Sequence, residues 1–126
     1  MFTLNGSGLA AGYAVRVSGT SQTVESTYAL NNFGSFSAAP IDMGSSTDQV
    51  YLVLYGSGLQ AAGTSGVTAT VNGANAQVLY AGPQTTFPGL DQVNLLLPSS
   101  LAGKGNVNVQ VTANKILANP VQITVQ

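Results

Sequence analysis

Apolar and polar residues alternate one by one along several stretches of this chain. Val67, Ala69 and Val71 alternate with Thr68 and Thr70. Val107, Val109 and Val111 alternate with Asn108, Gln110 and Thr112, and Val121, Ile123 and Val125 with Gln122 and Thr124. A period of two puts successive side chains on opposite faces of an extended chain. Each stretch therefore predicts a strand with one face on a core and one in water. The outward residues are Thr, Asn and Gln rather than Lys and Glu, and β-branched threonine itself favours strand geometry.

Two stretches depart from alternation. Residues 50–55 (VYLVLY) are apolar on both faces, and residues 93–97 (VNLLL) nearly so. Both predict central strands, or strands whose second face is covered by another part of the chain. Pro98 closes the latter, because it has no N–H for a ladder. Asn72 and Gly73 join 67–71 to 76–80 as a tight hairpin, since Asn-Gly suits a turn in which both residues take positive φ. Gly56, Ser57 and Gly58 end the first central strand, 81–84 and 87–89 frame a loop, and 103–106 leads into the next strand.

The first third is less regular. Residues 13–17 and 22–30 are expected to pair across Gly19 and Thr20, with Val24, Tyr28 and Leu30 on one face and Thr23, Glu25 and Thr27 on the other. A short strand is expected near 40–43. A helical turn is the alternative over 9–15, which Gly12 disfavours. One further helical turn is expected at Leu101 and Ala102, capped by the serines before it. Many short strands at this spacing predict an antiparallel sandwich. DQVYLVLYGSGL (48–59) and DQVNLLLPSSL (91–101) form a near-repeat. It is either an internal duplication or, as a single short match favours, two central strands begun alike by an aspartate that accepts backbone N–H groups in a turn.

Composition narrows the chemistry. The 126 residues suit one domain, and 44% are hydrophobic. Only 6% are charged, against roughly 25% in an average globular protein. Cysteine, histidine and tryptophan are absent. A thiolate nucleophile, a disulfide, and an imidazole for general base or zinc chemistry are therefore excluded. Three basic residues cannot build a phosphate-binding patch, so no nucleic-acid partner is expected. No apolar run is long enough for a membrane-spanning helix. Residues 1–12 lack the basic and apolar regions of an intact signal peptide, which still leaves room for a mature or excised piece of a secreted protein.

The segments 47–58 (TDQVYLVLYGSG), 78–105 (VLYAGPQTTFPGLDQVNLLLPSSLAGKG) and 13–19 (YAVRVSG) resemble the C-terminal domain of large secreted proteins of Acidobacteria, of the Solibacter type. The opening FTLNGSG resembles that domain's start. Within it, the second two-thirds of the chain resembles a TIG/IPT-type immunoglobulin-like domain. The resemblance implies a module of exported, β-rich proteins without assigned catalytic residues. Family members carry Arg, Asp and Glu on outward strand positions and loops. Here Ser99, Lys104, Asn106, Asn108, Gln110 and Asn114 stand there, and the chain starts at the domain's own start, as an excised piece or a stand-alone relative would.

The fold expected is an all-β, immunoglobulin-like (TIG/IPT-type) β-sandwich over 48–126, with residues 1–47 as a β-hairpin extension packed on it. Asp42, Asp48 and Asp91 are the candidate metal ligands, and calcium is the ion their hard oxygens would take. The simpler reading has each aspartate capping a turn. Glu25 opposite an aspartate is the one pairing that glycoside hydrolysis would use, but nothing in the spacing supports it, and no enzyme is expected. Lys104 or Lys115 crosslinked to an asparagine is a further chemistry, disfavoured by their turn settings. Phe33, Phe36 and Phe87 fall in loops and are the candidates for sugar contacts, while most of the tyrosines are expected in the core. Uncharged closing strands lack the usual guard against edge-to-edge pairing. Val121, Ile123 and Val125 therefore mark a strand able to pair within the chain or with another copy. The function expected is a structural or assembly module, extracellular or at the cell surface, with other copies or neighbouring modules as partners. A carbohydrate-binding module with a polysaccharide partner is the alternative.

Overall fold

A computed structural model of the chain describes residues 12–30, 36–45, 47–56, 66–84, 91–113, 116–117 and 120–126. The fold they build is all-β. The strands are β1 (Gly12–Ser18), β2 (Ser21–Ser26), β3 (Tyr28–Leu30), β4 (Phe36–Ala38), β5 (Gln49–Gly56), β6 (Val67–Val71), β7 (Ala74–Pro83), β8 (Asp91–Leu97), β9 (Gly105–Ala113), β10 (Ile116–Leu117) and β11 (Val121–Val125). A 3-10 turn, Ser99–Leu101, follows β8. Nine strands form one sheet in the order β10-β9-β6-β7-β8-β5-β1-β2, with β11 also paired to β9, and β3 and β4 form a separate hairpin. Every ladder between named strands is antiparallel.

The alternating stretches form the core-facing rows that their period predicts. Val67, Ala69 and Val71, then Val107, Val109 and Val111, then Val121, Ile123 and Val125 are all buried. They share one cluster with Ala14 of β1, Leu52 and Leu54 of β5, and Val93 and Leu95 of β8. On a flat sheet β1 and β9 would lie five strand spacings apart, about 24 Å. One shared core therefore requires the sheet to curl. The result is an open half-barrel of the β-sandwich type.

β7 produces much of that curl. Its residues 74–76 pair with β6, and residues 77–83 pair with β8. Leu79 is the extra residue of a bulge between Val78 and Tyr80. A bulge bends its strand and steepens the local twist. It also shifts parity: Ala76 and Val78 pack on the core before it and Ala81 after it, while Leu79 and Tyr80 are exposed. The Asn72–Gly73 hairpin between β6 and β7 takes φ of 53° and 80°, the double positive that the dipeptide predicts.

The central strands sit where their composition requires. β5 lies between β8 and β1, and β8 between β7 and β5. The outer face of β5 carries Gln49, Tyr51, Val53 and Tyr55. Val53 is only 5% exposed yet stands outside the core cluster. The two tyrosines beside it are half-buried.

Four local expectations change. The strand expected over 22–30 divides at Thr27. The Thr27 hydroxyl and N–H both donate to the Gly12 carbonyl, at 3.0 and 3.4 Å, and its own carbonyl accepts from Ala39. β2 stays on β1 while β3 turns away to β4. The strand expected near 40–43 is a single parallel bridge, Ile41 to Val125. The helical turn is Ser99–Leu101, begun by Pro98 with no side-chain cap. Gly12 opens a strand rather than sitting in a helical turn, and the rest of 9–15 before it lies outside the described residues. The register of β11 on β9 is offset by one residue from that of β10.

Candidate functional site

Three of the four acidic residues gather around Arg16, the chain's only arginine. Arg16 reaches the Asp42 carboxylate at 3.0 Å and the Glu25 carboxylate at 3.8 Å, and it donates to the Asp42 carbonyl at 3.2 Å. Glu25 Oε1 accepts the Asp42 N–H at 3.0 Å. Cross-strand register explains the first contacts, because Ala14 faces Glu25 and Arg16 faces Thr23 on the inner side of β1 and β2. Asp42 Oδ1 then caps its own turn through the Gly44 N–H at 2.8 Å. Asp48 caps the next turn, accepting from the Ser45 N–H and hydroxyl, both at 3.1 Å. Hydrogen bonds from the Ser18 hydroxyl and then the Ser45 N–H hold the Asp48 carboxyl below its ordinary pKa, with Arg16 adding a smaller pull.

A cleft of about 400 Å³ opens beside this knot, at the start of β5 and the end of β8. Asp48, Gln49, Asn75, Gln77, Leu96 and Ser99 are among its walls. The sheet's register brings them together: Leu96 pairs with Tyr51 on one side and Gln77 on the other. Tyr51 stands beside the cleft as the cross-strand partner of Leu96 on the outer face, and its hydroxyl donates to Gln49 Oε1 at 2.8 Å. Farther along that face, the rings of Tyr13 and Tyr55 lie 6.4 Å apart at a 46° tilt. Burial, then the neighbouring Tyr13, pushes the Tyr55 hydroxyl pKa up. Gln92 donates to Asn94 at 2.8 Å on the same face.

The two edges of the sheet differ. Ile41 covers the end of β11: its N–H donates to the Thr124 carbonyl at 2.8 Å, and its carbonyl accepts the Gln126 N–H at 3.0 Å. Among the described residues β2 pairs only with β1. Residues 21–24 of β2 are all exposed, Val24 to 69%.

The candidates expected from sequence fall as follows. Val121, Ile123 and Val125 are fully buried in this chain's own core, and their strand pairs with β9 in cis. Asp42 and Asp48 lie near each other at Arg16. Asp91 is buried at the start of β8, opposite Gly56, at the other end of β5 from Asp48 and about 26 Å away along the strand. Because β5 and β8 run antiparallel, the repeated Asp-Gln-Val sets its two aspartates apart. No three His, Cys, Asp or Glu side chains among the described residues converge to hold a metal. Phe36 starts β4 opposite Leu30, and Phe33 and Phe87 lie outside the described residues. Lys104 is exposed and Lys115 lies outside the described residues. Sequence reasoning missed Gln49, Asn75, Gln77 and Ser99. Their signal was an uncharged polar residue at each position, but their convergence depends on which strands are neighbours. No helix among the described residues is long and apolar enough to cross a membrane. No family model, curated protein or solved structure matches the chain.

Proposed function

We propose that this chain is a non-enzymatic structural or assembly module of an exported bacterial protein. It is an immunoglobulin-like sandwich of the TIG/IPT type that extends its sheet, through β2, onto another copy or a neighbouring module. Repetition of that contact gives an extracellular filament. The observation that carries this reading is the edge at β2, which no other strand pairs among the described residues. Natural sheets block such edges with lysine, proline, a bulge or a covering segment. β2 reads SQTVES. Its one charge, Glu25, sits on the inner side and is engaged by Arg16 and the Asp42 N–H. Val24 presents an exposed β-branched side chain where a joining strand would lie. By contrast, Ile41 covers the end of β11 at the opposite edge. The exported, bacterial setting rests on the resemblance of 47–58 and 78–105 to Acidobacteria C-terminal domains.

The test compares the chain with Val24→Lys by light scattering and negative-stain microscopy. Val24 is exposed, so the substitution leaves folding stability within about 0.5 kcal/mol. Fibres or oligomers in the parent chain that disappear in the variant support the reading. A parent chain that stays monomeric at high concentration overturns it, and oligomers that persist in Val24→Lys exclude β2 as the contact.

A further inference from the structure

We infer that the cleft between the start of β5 and the end of β8 binds a sugar unit of a neutral polysaccharide, with Tyr51 as the flanking aromatic wall. Its volume of about 400 Å³ lies in the lower part of the range of small-ligand sites. The chemistry of its walls selects the ligand class by elimination. An anion would meet the Asp48 carboxylate and no cationic side chain among the described lining residues. A divalent cation would find one carboxylate, already accepting from Ser45 through both oxygens, where calcium takes six to eight oxygen ligands. An apolar ligand would strip water from the amides of Gln49, Asn75 and Gln77 and return no hydrogen bond. An extended peptide would need an open backbone ladder. The strand bordering the cleft, β8, has both edges filled by β5 and β7.

A neutral polyol meets none of these objections. Each amide offers donors and an acceptor, the Ser99 hydroxyl offers both, and Asp48 retains acceptor capacity beyond its bonds from Ser18 and Ser45. Alternating hydroxyl groups on a sugar ring match such a mixed wall. The carbon-bound hydrogens of the ring need an apolar or aromatic surface, and Leu96 and Tyr51 are cross-strand partners at that position. The Tyr51 hydroxyl also holds the Gln49 amide at 2.8 Å, so part of the wall is set before a ligand arrives. From Tyr51 the same face of β5 runs to Tyr55, about 13 Å farther along the strand. A chain of sugars thus has surface beyond the cleft. This site and β2 are separate, and neither inference depends on the other.

The experiment is a titration of the whole chain with soluble hexasaccharides of β-1,4-glucose, α-1,4-glucose, xylose and mannose, read by calorimetry and by tyrosine emission, which no tryptophan obscures. Saturable binding of at least one of them is expected, in the millimolar range or tighter and insensitive to salt. Asn75→Ala and Gln77→Ala, both at exposed positions, should each weaken it about fivefold with an unchanged unfolding midpoint. Tyr51→Phe keeps the ring and loses the hydroxyl that holds Gln49, and should weaken it less. Val24→Lys should leave it intact. No binding across the panel overturns the inference, as does binding that survives the double Asn75→Ala, Gln77→Ala variant. Preference for a polyanion such as polygalacturonate, or for an unfolded peptide, overturns it equally.

Discussion

Arg16 and Asp42 form an ion pair at 3.0 Å, and the residue before Asp42 is Ile41, which bridges to Val125. Adjacent residues of one segment thus touch β1, near one end of the curled sheet, and β11, at the other. Ile41 is fully buried between them. This segment fastens the open side of the half-barrel, opposite the bend in β7. Ile41→Ala should therefore cost about 2–4 kcal/mol, the range for a large aliphatic side chain removed from a core. Urea denaturation is the measurement, and a loss under about 1 kcal/mol would show that the segment is not a fastening.

The Arg16 contacts set a second prediction. Glu25 Oε2 is buried with no hydrogen-bond partner among the described residues, so the guanidinium is the group that balances this carboxylate. Arg16→Met keeps the aliphatic stem but leaves Glu25 and Asp42 facing each other uncompensated. The expected cost is about 1–2 kcal/mol, below that for a fully buried pair because the groups are partly in water. Arg16→Lys should recover only part of it, since an ammonium lacks the planar fork that serves a carboxylate and a carbonyl together. A double-mutant cycle with Asp42→Asn would read the coupling directly, and a coupling near zero would refute this account.

Gly44 is the residue that lets this knot close. It has φ of 69°, and a Cβ there would overlap the Asp48 carboxylate and press on the Arg16 side chain. Gly44→Ala combines left-handed strain of about 1–2 kcal/mol with that overlap, and should destabilise the chain by about 2–4 kcal/mol. Gly73 has φ of 80° but open space where its Cβ would go. Gly73→Ala should then show the strain alone. The difference between the two unfolding midpoints isolates the steric part, and equal losses would mean that the overlap relaxes freely.

Much of this fold is legible in the sequence, and the reason is periodicity. The valine rows of β6, β9 and β11 state both their structure and their buried face, and Asn72 with Gly73 states the turn between β6 and β7. Apolar residues on both faces placed β5 and β8 inside the sheet. What stayed hidden depends on non-local partners. Thr27 looks like one more alternating residue, yet its bonds to Gly12 divide a strand. Leu79 carries no mark of a bulge, yet it moves Tyr80 outward. The aspartates of the Asp-Gln-Val pair read as one motif, but antiparallel pairing separates them. Gln49, Asn75 and Gln77 are unremarkable until β5, β8 and β7 are known to be neighbours.

Acid should weaken the turn before β5. The Asp48 pKa is lowered in the folded chain, first by the Ser18 hydroxyl. The folded state thus holds this proton less tightly than the unfolded one. The stabilisation is present above the ordinary aspartate value, near pH 4, and is lost as pH falls through the lower folded value. Stability should drop over that window, and Asp48→Asn should flatten the drop. Unchanged acid sensitivity in the variant would assign the effect to another carboxylate.

Alkali should act at the other end of β5. Tyr55 titrates above its ordinary value because burial disfavours the phenolate and Tyr13 stands 6.4 Å away, ring to ring. Here the folded chain holds its proton more tightly than the unfolded one. The contribution to stability is complete below the unfolded value, about pH 10, and is lost as pH rises through the raised folded value. Near-ultraviolet absorbance reads phenolate formation cleanly, since the chain has five tyrosines and no tryptophan. One tyrosine should ionise above the ordinary range, and Tyr55→Phe should remove that late step. Tyr13→Phe should move it only partway back, because burial is the larger cause and the substitution keeps the ring that provides it. A complete return to the ordinary value would instead make the Tyr13 hydroxyl the dominant influence. It would also mean that water reaches the Tyr55 hydroxyl freely on this outer face.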